Sequence, residues 1–335
     1  MEANESMKLG MVVRADFGRG LAQQTKTFYD HLQPDVTVCV DMTPTSPRYQ
    51  FAQDFDAYPD AIVTGWRGYT APFMNTDALD ALAECDVVYS AETYYDERLP
   101  TLTRTVLHVN PEFWRNQAAT QYWYPTSWRT ADLQPGPQVP TPINDDDIAR
   151  DLPASSRFLH VGGHRAIGDR NGSNVIGGVL LRVQHPWRIT SQDGMKMNPR
   201  VMGYTEIMGA TDNRWDLYEG CGVLVYPRRY GGQSLVVNEA MARGLAVVMG
   251  DQAPNIDTWP VIPVPTRPGG QVKTPAGRVQ MHMMLTASLE GILDTLARDE
   301  EMLQRWQARS LFWARENAWS VWAPKIKALI EDAAS

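Results

Sequence analysis

Cysteine is scarce in this 335-residue chain: Cys39, Cys85 and Cys221 are the only three, and they lie far apart. Such spacing offers neither a zinc-binding pair nor a disulfide framework. Each reads as a small core residue in a reducing compartment. Long apolar runs are missing too, since none approaches the roughly 18 residues that a membrane-spanning helix needs. The opening MEANESMKLG is acidic and polar, unlike a secretory leader, so a cytoplasmic protein is expected. There is no internal repeat, no Gly-Lys-Ser/Thr ending of a P-loop and no GxGxxG fingerprint. No convincing Asp-x-Asp metal pair occurs either. DNRWD (212–216) and DERLP (96–100) read as helix caps or surface, and Asp145–Asp147 as a solvated helix start favoured by the helix dipole.

What is present is an ordinary globular composition, 43% apolar and 21% charged, on a chain long enough for two domains. The net charge of -8 is uneven. Residues 1–150 hold 11 Lys and Arg against 21 Asp and Glu, which leaves 20 against 18 for the remainder. The first part is therefore a poor footprint for a polyanion, whereas the second has room for a local anion site. Short apolar strands alternate with helical patterns from KLGMVVRAD (8–16) to LAVVMGD (245–251), which predicts α/β units with parallel sheets. LQPGPQVPTPINDDD (133–147) breaks the pattern with four prolines and reads as an extended linker. The expected layout is one Rossmann-like domain over 1–140, a second over 141–310, and a helical tail over 311–335 packing back on the first domain.

In parallel sheets, ligands bind beyond the carboxyl ends of the strands. The loop VGGHRAIGDRNGS (161–173) lies at one such end, with Gly162 and Gly163 allowing close approach and Arg165 and Arg170 able to grip phosphate oxygens. A second end is YPRRYGGQSLVVNEAMARGLAVVMGD (226–251): strand, glycine turn at Gly231–Gly232, helix from about Gln233, strand. The helix start at Gln233, Ser234 and Leu235 offers free amides and a positive dipole end. Glu239 lies among apolar neighbours, where a carboxylate needs partners. Either it bonds an arginine such as Arg243, one turn on, or it accepts hydrogen bonds from a vicinal diol such as a ribose.

This second stretch resembles the donor-site signature of GT-B glycosyltransferases, especially the large retaining group called family 4. Strand, turn, helix and acid occur in the same order, and the two α/β domains, the Gly-Arg loop and the helical tail agree. GRGLAQQT after the first strand, with Gly20, is similar to glycosyltransferases of tailed phages. The resemblance implies that Glu239 binds the ribose of the nucleotide and that Arg165 and Arg170, the latter an arginine where the family has lysine, neutralise the diphosphate. Gly231 stands where the family carries a second acid that touches the donor sugar. Tyr204 and Gly20 complete the residues expected around the donor.

The implied activity is hexosyl or pentosyl transfer from a nucleoside-diphosphate sugar, a UDP-sugar, to an acceptor hydroxyl, with retention and without metal or cofactor, in a cleft between the domains. Glu92 and Glu112 follow apolar strands of the first domain, which would take the acceptor as the second takes the donor, and would position the hydroxyl. Asp16, Trp66, Arg67, Tyr94, His108 and Asn110 share those strand ends; His108 reads as a satisfied core residue, and Trp66, Tyr94, Tyr95, Trp114 and Trp123 either stack on a sugar or base or, for most of them, belong to the core. The acceptor is open between a hydroxylated DNA base, a virion protein, a small molecule and a lipid-linked acceptor; the oligomeric state is open as well. The alternatives are a catalytically silent nucleotide-sugar-binding protein, for which the bare Gly231 speaks, and another GT-B enzyme such as an epimerase or phosphorylase.

Overall fold

The first apolar run, LGMVVR, becomes the centre of a parallel sheet. The structure, a computed structural model, describes residues 7–43, 52–65, 74–128, 133–163, 169–191, 199–209, 211 and 213–335. β1 (Leu9–Arg14) is buried at all six residues, as a strand covered on both faces must be. It pairs in parallel with β2 (Val36–Asp41) and β4 (Val87–Ala91). β3 (Ile62–Gly65), β5 (Arg104–His108) and β6 (Gln121–Trp123) complete the order β3-β2-β1-β4-β5-β6. The connecting helices are α1 (Gly20–Leu32), α2 (Thr76–Ala83) and the single turn α3 (Leu99–Leu102). Asn75 caps α2 by accepting from the Ala78 amide at 2.9 Å, satisfying one of the donors a helix start leaves over.

The second sheet repeats the plan. β7 (Phe158–Val161), β8 (Trp187–Thr190), β9 (Thr205–Met208), β10 (Val223–Val225), β11 (Ala246–Gly250) and β12 (Ile262–Val264) stand in the order β12-β11-β10-β7-β8-β9. Read from the β9 edge, both sheets have the same 3-2-1-4-5-6 winding. Its helices are α4 (Ser173–Val179), α5 (Leu235–Ala242) and α6 (Asn255–Thr258). An antiparallel hairpin of β13 (Thr266–Thr274) and β14 (Gly277–Met284) follows, then α7 (Thr286–Arg298) and α8 (Glu300–Glu316). Fully apolar β10 and β11 lie at the heart of this core, with Leu289 and Leu293 of α7 buried among the same residues.

The chain forms two compact units. One is Met1–Pro125, Arg129–Thr141 and Trp319–Ser335; the other is Thr126–Trp128 and Pro142–Ala318. α8 thus keeps its residues in the second unit, and the part of the tail in the first unit starts at Trp319 rather than at 311. That part is α9 (Trp319–Ala334). Its Trp319 ring lies edge-on to Phe28 at 5.0 Å, and Ile326 and Ile330 join the core around β1. The proline-rich segment is no free linker at its start. Tyr124 donates its amide to Pro137 O at 3.0 Å, Val139 returns its amide to Tyr124 O at 2.8 Å, and Val139 is fully buried. Proline lacks an amide, but its carbonyl still pairs with an edge strand. Among the described residues, no helix is long and apolar enough to cross a membrane.

Candidate functional site

Two loops that are distant in sequence meet at the carboxyl edge of the second sheet. β10 runs on through Tyr226-Pro227-Arg228-Arg229-Tyr230 into the Gly231–Gly232 turn and α5. Gly231 has φ +116°, in the left-handed region where a side chain is strained. Its bareness is therefore a backbone requirement of this turn, a reason invisible to sequence comparison. Arg228, only 3% exposed, donates through Nη1 to Gly232 O at 3.0 Å, and its own carbonyl accepts from Gln252 Nε2 at 2.9 Å. Ser234 is the N-cap of α5 but makes no side-chain capping bond; the Val237 amide donates to Ser234 O at 3.1 Å, and the Leu235 and Val236 amides open the helix toward an anion. Gln233 sits half-buried between turn and cap.

The other loop follows β7. Gly162 donates its amide to Thr190 O at 2.8 Å and accepts at its carbonyl from Asn171 Nδ2 at 2.8 Å. Asn171 Oδ1 in turn accepts from the Tyr226 hydroxyl at 3.0 Å, and the Arg229 amide donates to Arg170 O at 2.8 Å. A Cβ on Gly172 would lie 2.2 Å from Pro227 O, so the loops approach to a distance only glycine permits. Gly163 has φ +61°. The Arg170 guanidinium carbon stands 5.5 Å from the centre of the Tyr230 ring, a cation–π distance. Arg165 lies outside the described residues. The start of α4 is already filled: Asp169 accepts from the Ser173 amide at 2.9 Å and the Asn174 amide at 3.2 Å. Of α4 and α5, the helices that these two loops open, α5 keeps first-turn amides without a side-chain acceptor.

Glu239 lies deeper along α5. Its Oε2 accepts from the Tyr218 hydroxyl at 2.7 Å, and Oε1 stands 3.5 Å from Arg214 Nη1. The partner arginine is Arg214 and not Arg243, whose guanidinium carbon lies 4.3 Å from the centre of the Trp215 ring. Burial pushes the Glu239 carboxyl above the usual carboxylate range, while Arg214 and the Tyr218 hydroxyl pull it back. The side chain stays 15% exposed, and a carboxylate has about four acceptor sites. Tyr218 fixes the group's direction and leaves capacity for a further donor. Tyr218, Arg214 and Arg228 were not among the residues expected from sequence. Only the Arg228–Arg229 pair after an apolar strand gave a signal.

Tyr204 does not belong to this site. It precedes β9, at the amino end of the sheet, and its hydroxyl donates to Leu180 O. In DNRWD, Asp212 lies outside the described residues; the rest caps the one-turn helix Arg214–Leu217, where Asn213 accepts from the Trp215 amide at 3.2 Å and donates to Asp216 at 2.8 Å. His160 donates from Nδ1 to Val225 O at 3.0 Å, so Nε2 accepts from Ser173 Oγ at 2.9 Å. Burial lowers its pKa to about 4 and keeps the ring neutral.

The carboxyl edge of the first sheet has a different character. Arg14 and Asp16, both buried, form an ion pair through two bonds, and Arg19 Nε stands 3.8 Å from the same carboxylate. Gly20 opens α1 beside them. Glu92 follows β4 with φ +69°, an uncommon conformation for a residue with a side chain. Asn110 Nδ2 donates to Glu92 Oε2 at 3.1 Å. Burial raises the Glu92 carboxyl above its ordinary range; Arg14 and Asn110 oppose the shift, Glu112 adds to it, and Arg115 opposes it. Glu112 is buried in the turn Pro111–Phe113. Tyr94, Tyr95, Trp114 and Trp123 are core residues, not stacking platforms. His108 is core as well, its Nδ1 accepting from the Tyr89 hydroxyl at 2.9 Å, with burial lowering its pKa to about 3. Trp66 and Arg67 lie outside the described residues.

No protein-family model and no curated protein matches this sequence significantly. Solved structures do match the fold. Anabaena HepE, solved with UDP and glucose, superposes with a TM-score of 0.66 at 10% identity, over 98% of this chain and 100% of its own. A glycosyltransferase from Rickettsia africae gives 0.65 at 10% identity, over 98% and 99%. Sucrose-phosphate synthase from Thermosynechococcus elongatus gives 0.64 at 10% identity, over 98% and 100%. The architecture is GT-B: two Rossmann-like parallel sheets with C-terminal helices.

Proposed function

We propose that this chain is a glycosyltransferase that moves a hexosyl or pentosyl group from a UDP-sugar to an acceptor hydroxyl, with retention and without a metal ion. The observation that carries the reading is the meeting of the two loops: the Arg229–Arg170 backbone bond brings the glycine turn that leads into α5 beside Arg170, with the fixed Glu239 carboxylate on the same helix. A ribose diol donating to Glu239 would place the diphosphate toward Gly232–Leu235 and Arg170. HepE, solved with UDP and with UDP-glucose, supports the donor class. Retention rests on the likeness of residues 226–251 to the family 4 signature.

The chemistry follows from charge. When the anomeric C–O bond breaks, its electron pair stays on the β-phosphate oxygen. Arg170, the α5 amides and the helix dipole meet that growing charge, a preorganised stabilisation that needs no reorganisation at the moment of reaction. The acceptor oxygen forms the new bond to the anomeric carbon, and its proton leaves on the departing phosphate. Glu92 accepts the hydrogen bond that orients the acceptor hydroxyl, and Glu112 sets the charge around it.

The test is UDP release from a panel of UDP-sugars in EDTA, read beside nucleotide-induced thermal stabilisation. Slow donor hydrolysis without added acceptor is expected. Stabilisation with no turnover of any donor would make the protein a silent binder, and a strict need for a divalent ion would end the metal-free scheme.

A further inference from the structure

The hairpin β13–β14 has no part in the account so far. Between Asp257 and Glu290 the sequence has no Asp or Glu, yet the hairpin carries Arg267, Lys273 and Arg278, in a chain of net charge -8. Its two faces differ. Val272 stands opposite Val279, and the pair packs with Tyr230 into a small apolar cluster joined by Trp128 and Met281. The strand alternation places Gln271, Lys273, Arg278 and Gln280 on the other face, and all four are exposed. Lys273 lies directly opposite Arg278, and Gln271 directly opposite Gln280. Like charges facing each other across a ladder cost stability, and neither cation joins an ion pair among the described residues. Two neighbouring cations without a carboxylate partner leave this exposed face able to attract a polyanion. The inner edge is fixed to the site described above, because the His282 amide donates to Arg229 O at 2.8 Å.

We propose that the outer face of this hairpin docks duplex DNA, so that the acceptor hydroxyl is carried on a nucleic acid; the acceptor part of this rests on the glycosyltransferase reading. A two-stranded ribbon fits the major groove. Lysine and arginine meet phosphates, which position the duplex, while glutamine and arginine can reach base edges. The negative first unit does not oppose this, because the contact is local to a ribbon that holds no carboxylate.

The experiment is fluorescence anisotropy of a short labelled duplex against salt, for the wild type, K273A/R278A and K273Q/R278Q. The substituted side chains are exposed, and thermal melting checks that both variants fold. Wild-type protein should bind with an affinity that falls steeply with salt. Both variants should lose about tenfold in affinity or more at low salt, with the log–log salt slope reduced by about two. No duplex binding by the wild type, an unchanged slope in the variants, or equal competition by inorganic polyphosphate would overturn the docking proposal. UDP-induced thermal stabilisation is measured on the same samples. Its persistence in protein that ignores DNA defeats the hairpin proposal alone, whereas its absence from the wild type counts against the transferase reading.

Discussion

The two sheets have the same winding and opposite edges. At the first, Arg14 closes on Asp16, and two buried-leaning carboxyls, Glu92 and Glu112, sit beside them. At the second, a glycine turn, a helix start without a side-chain cap and Arg170, stacked on Tyr230, come together. The shared topology therefore supplies two strand-end rims, and in the proposed reading a few side chains assign one to a hydroxyl and the other to an anion. Each prediction below tests that division of labour.

Arg170→Ala should have the largest effect. The charge it meets develops as the glycosidic bond breaks, so turnover should drop about 10²- to 10³-fold. UDP binding should suffer far less. Steady-state kinetics beside UDP titration separate the two, and equal losses in both would move Arg170 from leaving-group stabilisation to plain donor binding.

Glu92→Gln, on the other rim, should lower kcat/KM about 10²-fold through a misplaced acceptor and leave UDP binding untouched. The pH profile gives a second readout. Burial raises the Glu92 carboxyl, so the acid limb of the wild-type profile should lie above the ordinary glutamate range, and the Gln variant should lose that limb. The stability sign is opposite. A raised folded-state pKa means that the folded chain holds the proton longer than the unfolded one. The Glu92 contribution therefore declines as pH rises from the ordinary to the raised value. A variant whose UDP affinity falls with its activity would erase the distinction between the rims.

Gly231→Glu should restore the family acid only on paper. With φ at +116°, a side chain there costs about 1–3 kcal/mol, and the new buried acid lacks a partner. Thermal melting should show a loss of several degrees, and no UDP-sugar should turn over faster than with the wild type. A rate gain with UDP-glucose would mean that the turn tolerates the acid and that Gly231 is a lost catalytic position.

Much of this was legible in the residues. The apolar runs of β10 and β11 bracket a helix whose turn glycines and single acid stand out, so the strand-turn-helix-strand unit at 221–251 was readable. Glu239 stands out within that unit, and Arg170 within the glycine-bearing loop 161–173. Glu239's partners were not readable, because Tyr218 and Arg214 sit in NRWDLYEG, whose pattern says only that it is a short helix. Their meeting with Glu239 is tertiary. The proline-rich stretch at 133–147 looked like a linker because proline composition hides carbonyls that pair with Tyr124. The hairpin escaped notice since the register slips between Pro268 and Gln271, around Gly269–Gly270, which interrupts the alternation that would announce a strand. Tyr204 was misplaced because a strand's two ends look alike in sequence, and only one of them faces the site.

The central claim is that the carboxyl edge of the second sheet holds a nucleoside diphosphate through Glu239. Calorimetric titration of UDP into wild type and Glu239→Gln, with thermal melting of both, tests it most directly. The amide still accepts from Tyr218, so the fold should survive with little change in Tm. Loss of a charge-assisted bond worth about 1.5–3 kcal/mol should weaken UDP binding roughly 10- to 150-fold. A variant that melts early, while its folded fraction binds UDP like the wild type, would show that Glu239 serves Arg214 and Tyr218 alone.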